Sequence, residues 1–496
     1  MLFNSYAFLF AFLPATCLVY FALNRWRPGR AGILWLFVAS LFFYGWWSWR
    51  FVPLLLGSIV FNFVVGTSLQ RVTAAGKSSR SSMTSLTSIT PRALLASGVI
   101  ANLALLGYFK YADFFVANAN VVFGPHWLLP HVVLPLGVSF FTFTQIAYLV
   151  DARKGFVRES SFINYGLFVS FFPHLLAGPI LHHGEMMPQF ADSSNKRFNA
   201  SNFWVGLTLL IVGLAKKVLI ADEIAPWANA GFGAATHLGF VDAWVAALAY
   251  TLQIYFDFSG YTDMALGMAW MMNIRLPLNF ASPYQSRNLR EFWRRWHMTL
   301  SRFLRDYLYI PLGGNRCGPA LALLFVLVTF ALGGLWHGAN WTFVVWGVLN
   351  GLGVVTVQVM DRMGWSLPRP LAWLLTMAFT ITAWVFFRAS TLDDAMHIVG
   401  AMYGSQGFSI QPALAEWAPV FRPDTYTRNG LPMHLDAICT GAVLIAGFAI
   451  AWLATNSQTL VTRWRWTTAL ALWIATLAVA ALLNLDRVTD FLYFNF

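Results

Sequence analysis

Apolar runs of about twenty residues recur along the chain, at roughly 5–23, 31–49, 51–69 and 93–111 and again at 319–336, 340–359 and 370–388, and they limit the possible folds severely. Each is near the ~20 residues that a helix needs to cross a bilayer. Hydrocarbon offers no water to backbone N–H and C=O groups, so only helices and closed barrels span it, and runs of this length specify helices. Of 496 residues, 58% are hydrophobic and 10% charged, too apolar a balance for a soluble protein. The expectation is an all-α, polytopic integral membrane protein with roughly 11 transmembrane helices plus re-entrant and interfacial helices. It reads as a single membrane domain, 1–496, with 389–496 as C-terminal helices around a loop at 404–436.

Charge sets the topology. Lys and Arg outnumber Asp and Glu by 32 to 20, and the excess sits in short segments between apolar runs. Arg25, Arg27 and Arg30, then Arg71, Lys77, Arg80 and Arg92, mark one side; the positive-inside tendency makes that side cytoplasmic and puts the N-terminus outside. Pro173 and Gly178-Pro179 break the run at 162–181, which reads as a dip; this keeps the arginines of 287–305 cytoplasmic and puts 404–436 outside. The first run lacks a basic leader region and should be retained as a helix. Residues 77–91, rich in Ser and Thr, read as a cytoplasmic linker. Membrane lipids are the evident partners; no basic block suits nucleic acid. Cys17, Cys317 and Cys439 form no metal-ligating or disulfide pattern.

Chemistry concentrates between Tyr284 and Trp341. Six arginines lie between Arg287 and Arg305, an apolar segment follows, and His337 ends it. Residues 284–310 read as one amphipathic interfacial helix, Phe292, Trp293, Trp296, Phe303 and Leu304 inward and the arginines outward, with Glu291 and Arg295 paired at i,i+4. Trp293 and His297 share that spacing, which puts His297 on the aromatic side. The basic face, Arg294 and Arg295 on it, suits phosphates or anionic lipid head groups. A histidine in hydrocarbon is either a packing group bonded to a neighbouring helix or a general base, since an imidazole titrates near neutral pH. Gly333, Gly334 and Gly338 clear space around Trp336 and His337 for a tunnel or a close helix contact. Asp257 and Asp263 sit in an apolar segment, as substrate contacts or as a structural ion pair, with an arginine of 287–305 the natural partner.

Four segments together, EFWRRWHMTLSRFLRDYLYIPLGGN (291–315), LGGLWHGANWTFVVWG (332–347), YFDFSGYTDMALG (255–267) and FFPHLLAGPI (171–180), resemble the membrane-bound O-acyltransferase superfamily, in particular its alginate O-acetyltransferase branch. The resemblance runs from about Phe3 to Arg388. It implies that His337 matches the family's catalytic histidine and His297 its second polar position, that acetyl-CoA or another acyl thioester is the donor, and that an exported polysaccharide is the acceptor. It also implies an external SGNH-type transferase as partner. Within that scheme His337 takes the hydroxyl proton, Asn340 or backbone N–H groups steady the oxyanion, and Asp257 or Asp263 orients the base. A transporter or flippase using His337, His297, Asp257 and Asp263 as a proton or substrate pathway is the alternative. His237 and Asp242 fit an HxxxxD spacing by chance, and GxSxG, HExxH and Walker signatures are lacking.

Overall fold

The computed structural model describes residues 1–26, 29–78, 90–124, 127–157, 161–176, 178–407, 433–463, 467–485 and 491–492. The described residues are helical and form two compact units, one of Met1–Leu210 with Met264–Leu278, the other of Ile211–Asp263 with Asn279–Phe496. Seven helices among them are long and apolar enough to cross a membrane, and Gly441–Leu453 and Thr468–Leu483 are shorter apolar helices.

In the first unit, α1 (Ala7–Trp26) packs on α2 (Ala31–Ser48), and a 3₁₀ turn at Trp49–Phe51 joins α2 to α3 (Val52–Ser78). The apolar tract of α4 reaches from Pro91 to Phe123, so the external dip expected at 112–130 is helix as far as Phe123. Then α5 (Val138–Lys154) enters the core, its Gln145 wholly buried and bonded to Ser58 and Tyr165. The 162–181 segment breaks as expected, into α6 (Phe162–Ser170) and the single turn α7 (Phe172–Leu175). At that break His174 Nε2 lies 2.9 Å from the Phe168 carbonyl, the structural partnership that a freed backbone group requires. After α8 (His183–Ala191) comes α9, Ala200–Gly233, with a π-helical stretch at Lys216–Ala221. It is followed by α10 (Phe240–Met271); the stretch Ile211–Asp263 of these two helices belongs to the second unit.

The second unit holds the Tyr284–Trp341 stretch. One helix was expected over 284–310; there are two short ones, α11 (Leu289–Arg295) and α12 (Met298–Leu304), then a π turn at Arg305–Tyr309. The break falls at His297, whose φ of 43° lies in the left-handed region. A non-glycine residue there costs on the order of 1–2 kcal/mol, so the surroundings must hold it. They do: Ala281 N–H donates to the Arg295 carbonyl and Met298 N–H to the Asn279 carbonyl, so the 279–281 strand of chain clamps the kink from both sides.

α13 (Pro319–His337) and α14 (Trp341–Arg362) form a closely packed hairpin. Glycine makes that approach possible: a Cβ on Gly334 would strike the Phe343 carbonyl, and one on Gly347 the Phe330 carbonyl. Gly351 rests on Phe330, so the Gly347xxxGly351 spacing is a packing device. The unit continues through α15 (Arg369–Arg388), α16 (Leu392–Met402), α17 (Met433–Leu453), α18 (Ser457–Arg463) and α19 (Thr468–Leu483). Most of the 404–436 loop lies outside the described residues, as does 79–89 of the Ser/Thr-rich linker.

Candidate active site

A cavity of about 730 Å³ lies within the second unit. On α13 it is lined by Pro319, Ala322, Val326, Thr329, Phe330, Gly333 and His337. Steps of three and four residues keep these on one face, so the cavity follows α13 for its full length, about 27 Å at 1.5 Å per residue. Its two ends differ in chemistry. Around the Pro319 end stand Asn315 and, from the far end of α14, Gln358, Asp361 and Arg362, with Arg290 paired to Asp361; at the other end stand His337 and Trp346, and Arg294 and Arg305 also line the cavity. Trp293, Leu300, Leu304 and Val354 make the walls between apolar.

His337, 4% exposed, ends α13 with its ring boxed by aromatic groups: Trp336 at 4.9 Å, Trp346 at 5.2 Å and Phe387 at 5.3 Å between centroids. Trp336 is itself buried and touches His337 and His297 rather than lining the cavity. Gly333 and Gly334, one turn back, have separate duties. Gly333 opens the wall opposite Leu304, and Gly334 admits α14.

His297 is fully buried and its ring centre is 6.3 Å from that of His337. It stands behind the cavity wall and does not line it. Its tautomer follows from Asn279. The Asn279 Oδ1 accepts from the backbone N–H of Thr299 at 3.2 Å and from its hydroxyl at 2.9 Å, which identifies that atom as the amide oxygen. His297 Nδ1, 3.1 Å from the same oxygen, must therefore donate, leaving Nε2 as the acceptor nitrogen. Nothing in the sequence singled out Asn279; only the kink brings it beside a residue eighteen positions on.

The remaining expected residues divide. Arg294 lines the cavity, whereas Arg295 turns to Glu291 at 2.7 Å, in the i,i+4 pair expected, and to the Ala281 carbonyl. Arg290 and Asp361, both half exposed, form an ion pair of 2.6 Å at the basic end. Asn340 caps α14: its Oδ1 accepts from Thr342 N–H and its Nδ2 donates to the Ser390 carbonyl, which commits the side chain that was expected to steady an oxyanion. Asp257 and Asp263 do not pair with an arginine. Lys217 bridges Asp257 at 2.6 Å and Asp222 at 2.8 Å, and Lys216 meets Asp263 at 2.6 Å. The correction has a visible source. Two adjacent lysines inside the apolar 201–220 run were themselves the sign that buried carboxylates faced them.

A cavity lined by arginines and a buried histidine, in a polytopic helical chain, suits a membrane acyl-transfer enzyme. The chain belongs to the membrane-bound O-acyltransferase family, whose model matches residues 41–390. It is 44% identical to the peptidoglycan O-acetyltransferase of Helicobacter pylori over 440 residues, covering 83% of this chain and 81% of that protein. It is 40% identical to the Azotobacter vinelandii protein named Probable alginate O-acetylase AlgI over 410 residues, 81% of this chain and 78% of that one. A teichoic acid D-alanyltransferase of Bacillus subtilis is 29% identical over 238 residues, 46% of this chain and 60% of its own length. The chain is therefore an acyltransferase of a family whose relatives O-acetylate polysaccharides.

Proposed function

We propose that the enzyme moves an acetyl group from a cytoplasmic thioester to a hydroxyl of an exported cell-surface polysaccharide, with an external SGNH-type transferase completing the transfer. The carrying observation is the cavity that follows α13 from Arg362 and the Arg290–Asp361 pair to His337, with Arg294 and Arg305 also in its lining. Guanidinium forks suit the phosphates of acetyl-CoA, and the apolar side chains of Val326, Phe330, Leu300 and Leu304 along the cavity suit its uncharged arm. The length of the α13 face lets the thioester arrive at the imidazole while the charged end stays at the mouth. Relatives acting on peptidoglycan, alginate and teichoic acid support a polymer of the cell surface as acceptor.

At the histidine end, His337 takes the proton of the attacking hydroxyl as the oxygen forms its bond to the thioester carbonyl. The carbon–sulfur bond then breaks, and the thiolate leaves with a proton. The His337 Nδ1 is buried. With Asn340 committed, the N-terminal end of α14, which starts four residues after His337, is the remaining source of positive dipole for the developing oxyanion. His297, held in one tautomer by Asn279, acts as a positioning residue. The buried carboxylates that a proton pathway would use, Asp257 and Asp263, are each tied to a lysine in an ion pair, so the transporter reading loses its main support.

Thiol release from acetyl-CoA by the purified protein tests this. His337→Ala is expected to lower it by on the order of 10²- to 10⁴-fold. Equal rates for variant and parent would end the proposal.

A further inference from the structure

Neither Asp257 nor Asp263 has a task in the mechanism above, yet each is joined to a part of the chain beyond the matched 41–390 core. Asp263 accepts from the Ser457 hydroxyl as well as pairing with Lys216. Asp257, 1% exposed, holds Lys217 on one oxygen; on the other it accepts the backbone N–H of Leu492 at 2.9 Å. Lys217 faces two carboxylates, Asp222 and Asp257, so one cation meets two anions and the Leu492 N–H supplies a further donor to the second. A backbone group is thereby drawn to a fixed point in the protein interior.

The residue before it shows what that fixing accomplishes. Phe491, 2% exposed, stacks on Tyr261 at 4.4 Å and 21° and meets Phe258 at 5.8 Å. Phe258 stands edge-on to the His297 ring at 4.8 Å and 90°. Phe280 packs the same side, 4.9 Å from Phe258. Asn279 fixes one nitrogen of His297, and the Phe258 ring fixes its plane; Phe491 is the backing that keeps Phe258 there.

We infer that the C-terminal residues Phe491 and Leu492, clamped by Asp257, are a built part of the active site, Phe491 being a positioning residue for His297. The inference rests on the reading that places the chemistry at His337 beside His297. A side chain that merely fills volume would affect the fold; one that holds an imidazole in place affects turnover at unchanged donor affinity.

The test uses the full-length protein with Phe491→Ala, Phe491→Leu and, as a core control, Leu485→Ala, which is similarly buried at 4% exposure. Thiol release from acetyl-CoA is expected to show a kcat at least tenfold lower in Phe491→Ala with KM within twofold of the parent, largely restored in Phe491→Leu and unchanged in Leu485→Ala. In parallel, diethylpyrocarbonate carbethoxylation of His297, followed by peptide mass spectrometry, is expected to be several-fold faster in Phe491→Ala than in the parent or in Leu485→Ala. A parent with no turnover would defeat the acyl-transfer reading alone, and the carbethoxylation rates would still decide this inference. It is overturned if His297 is modified at the parental rate in Phe491→Ala, if kcat there stays within twofold of the parent, or if Leu485→Ala reproduces both effects.

Discussion

Asn279 holds three donors on one amide oxygen: the His297 ring, the Thr299 amide and the Thr299 hydroxyl. Replacing it with Ala leaves buried donors without that acceptor, each worth roughly 1–3 kcal/mol, and frees His297 to change tautomer. Asn279→Ala is therefore expected to lower both the thermal midpoint in detergent and the rate of thiol release, the rate falling further than the population of folded protein accounts for. Charged pairs are expected to separate by burial in the same melts. Lys217→Met strands two buried carboxylates and should cost on the order of 3–5 kcal/mol. Arg290→Gln, from an exposed pair, should cost less than about 1 kcal/mol. Equal midpoints for these two variants would contradict the interior position of the lysine. The imidazoles and carboxylates were legible in the sequence because charge and polarity stand out against apolar runs. Asn279 was not, since its meaning comes only from a kink that leaves no periodic trace.

Helix pairs tell a similar story one level up. The glycines of 333–338 left a tunnel and a close helix contact open in the sequence, and the contacts of Gly334 and Gly347 with opposing carbonyls show the helix contact. Gly334→Val is expected to force these helices apart at a cost of roughly 1–3 kcal/mol or more, measured as a lower thermal midpoint. The amphipathic pattern over 284–310 was legible too: of its inward aromatic residues Phe292, Trp296 and Phe303 are buried, while Trp293 is partly exposed and lines the cavity. Its continuity was misread, because a helical period persists across a break that long-range bonds from residues 279–281 impose. Arg290, Arg294 and Arg305, expected on an outward basic face, all line the cavity. Asp361 occupies Arg290 there at 2.6 Å and competes with any anion that arrives. Asp361→Asn is therefore expected to lower the KM for acetyl-CoA several-fold, and Arg294→Gln to raise it, each with little change in kcat; a higher KM in Asp361→Asn would contradict the assignment of this mouth to an anionic donor.

At the scale of the whole molecule the sequence was most informative about class. Long apolar runs became helices because hydrocarbon tolerates little else, and the proline-marked break at 162–181 is present. The division into two compact units had no such signal, since packing partners are chosen by side-chain fit rather than by hydropathy. Orientation is open to a direct test through Cys317, an exposed thiol beside the cavity-lining residues Asn315 and Gly318. If the basic mouth faces the cytoplasm, a membrane-impermeant maleimide is expected to label Cys317 in inverted vesicles and not in intact cells, with Cys317→Ser as the reference. The account as a whole depends on the cavity being the route by which the thioester reaches His337. Thr329 lines that route near its midpoint, while Leu332 on the same helix is 45% exposed and lies outside it. The most direct measurement is thiol release from acetyl-CoA by Thr329→Trp beside Leu332→Trp: loss in the first with parental rates in the second is the expected result, and parental turnover in Thr329→Trp would contradict it.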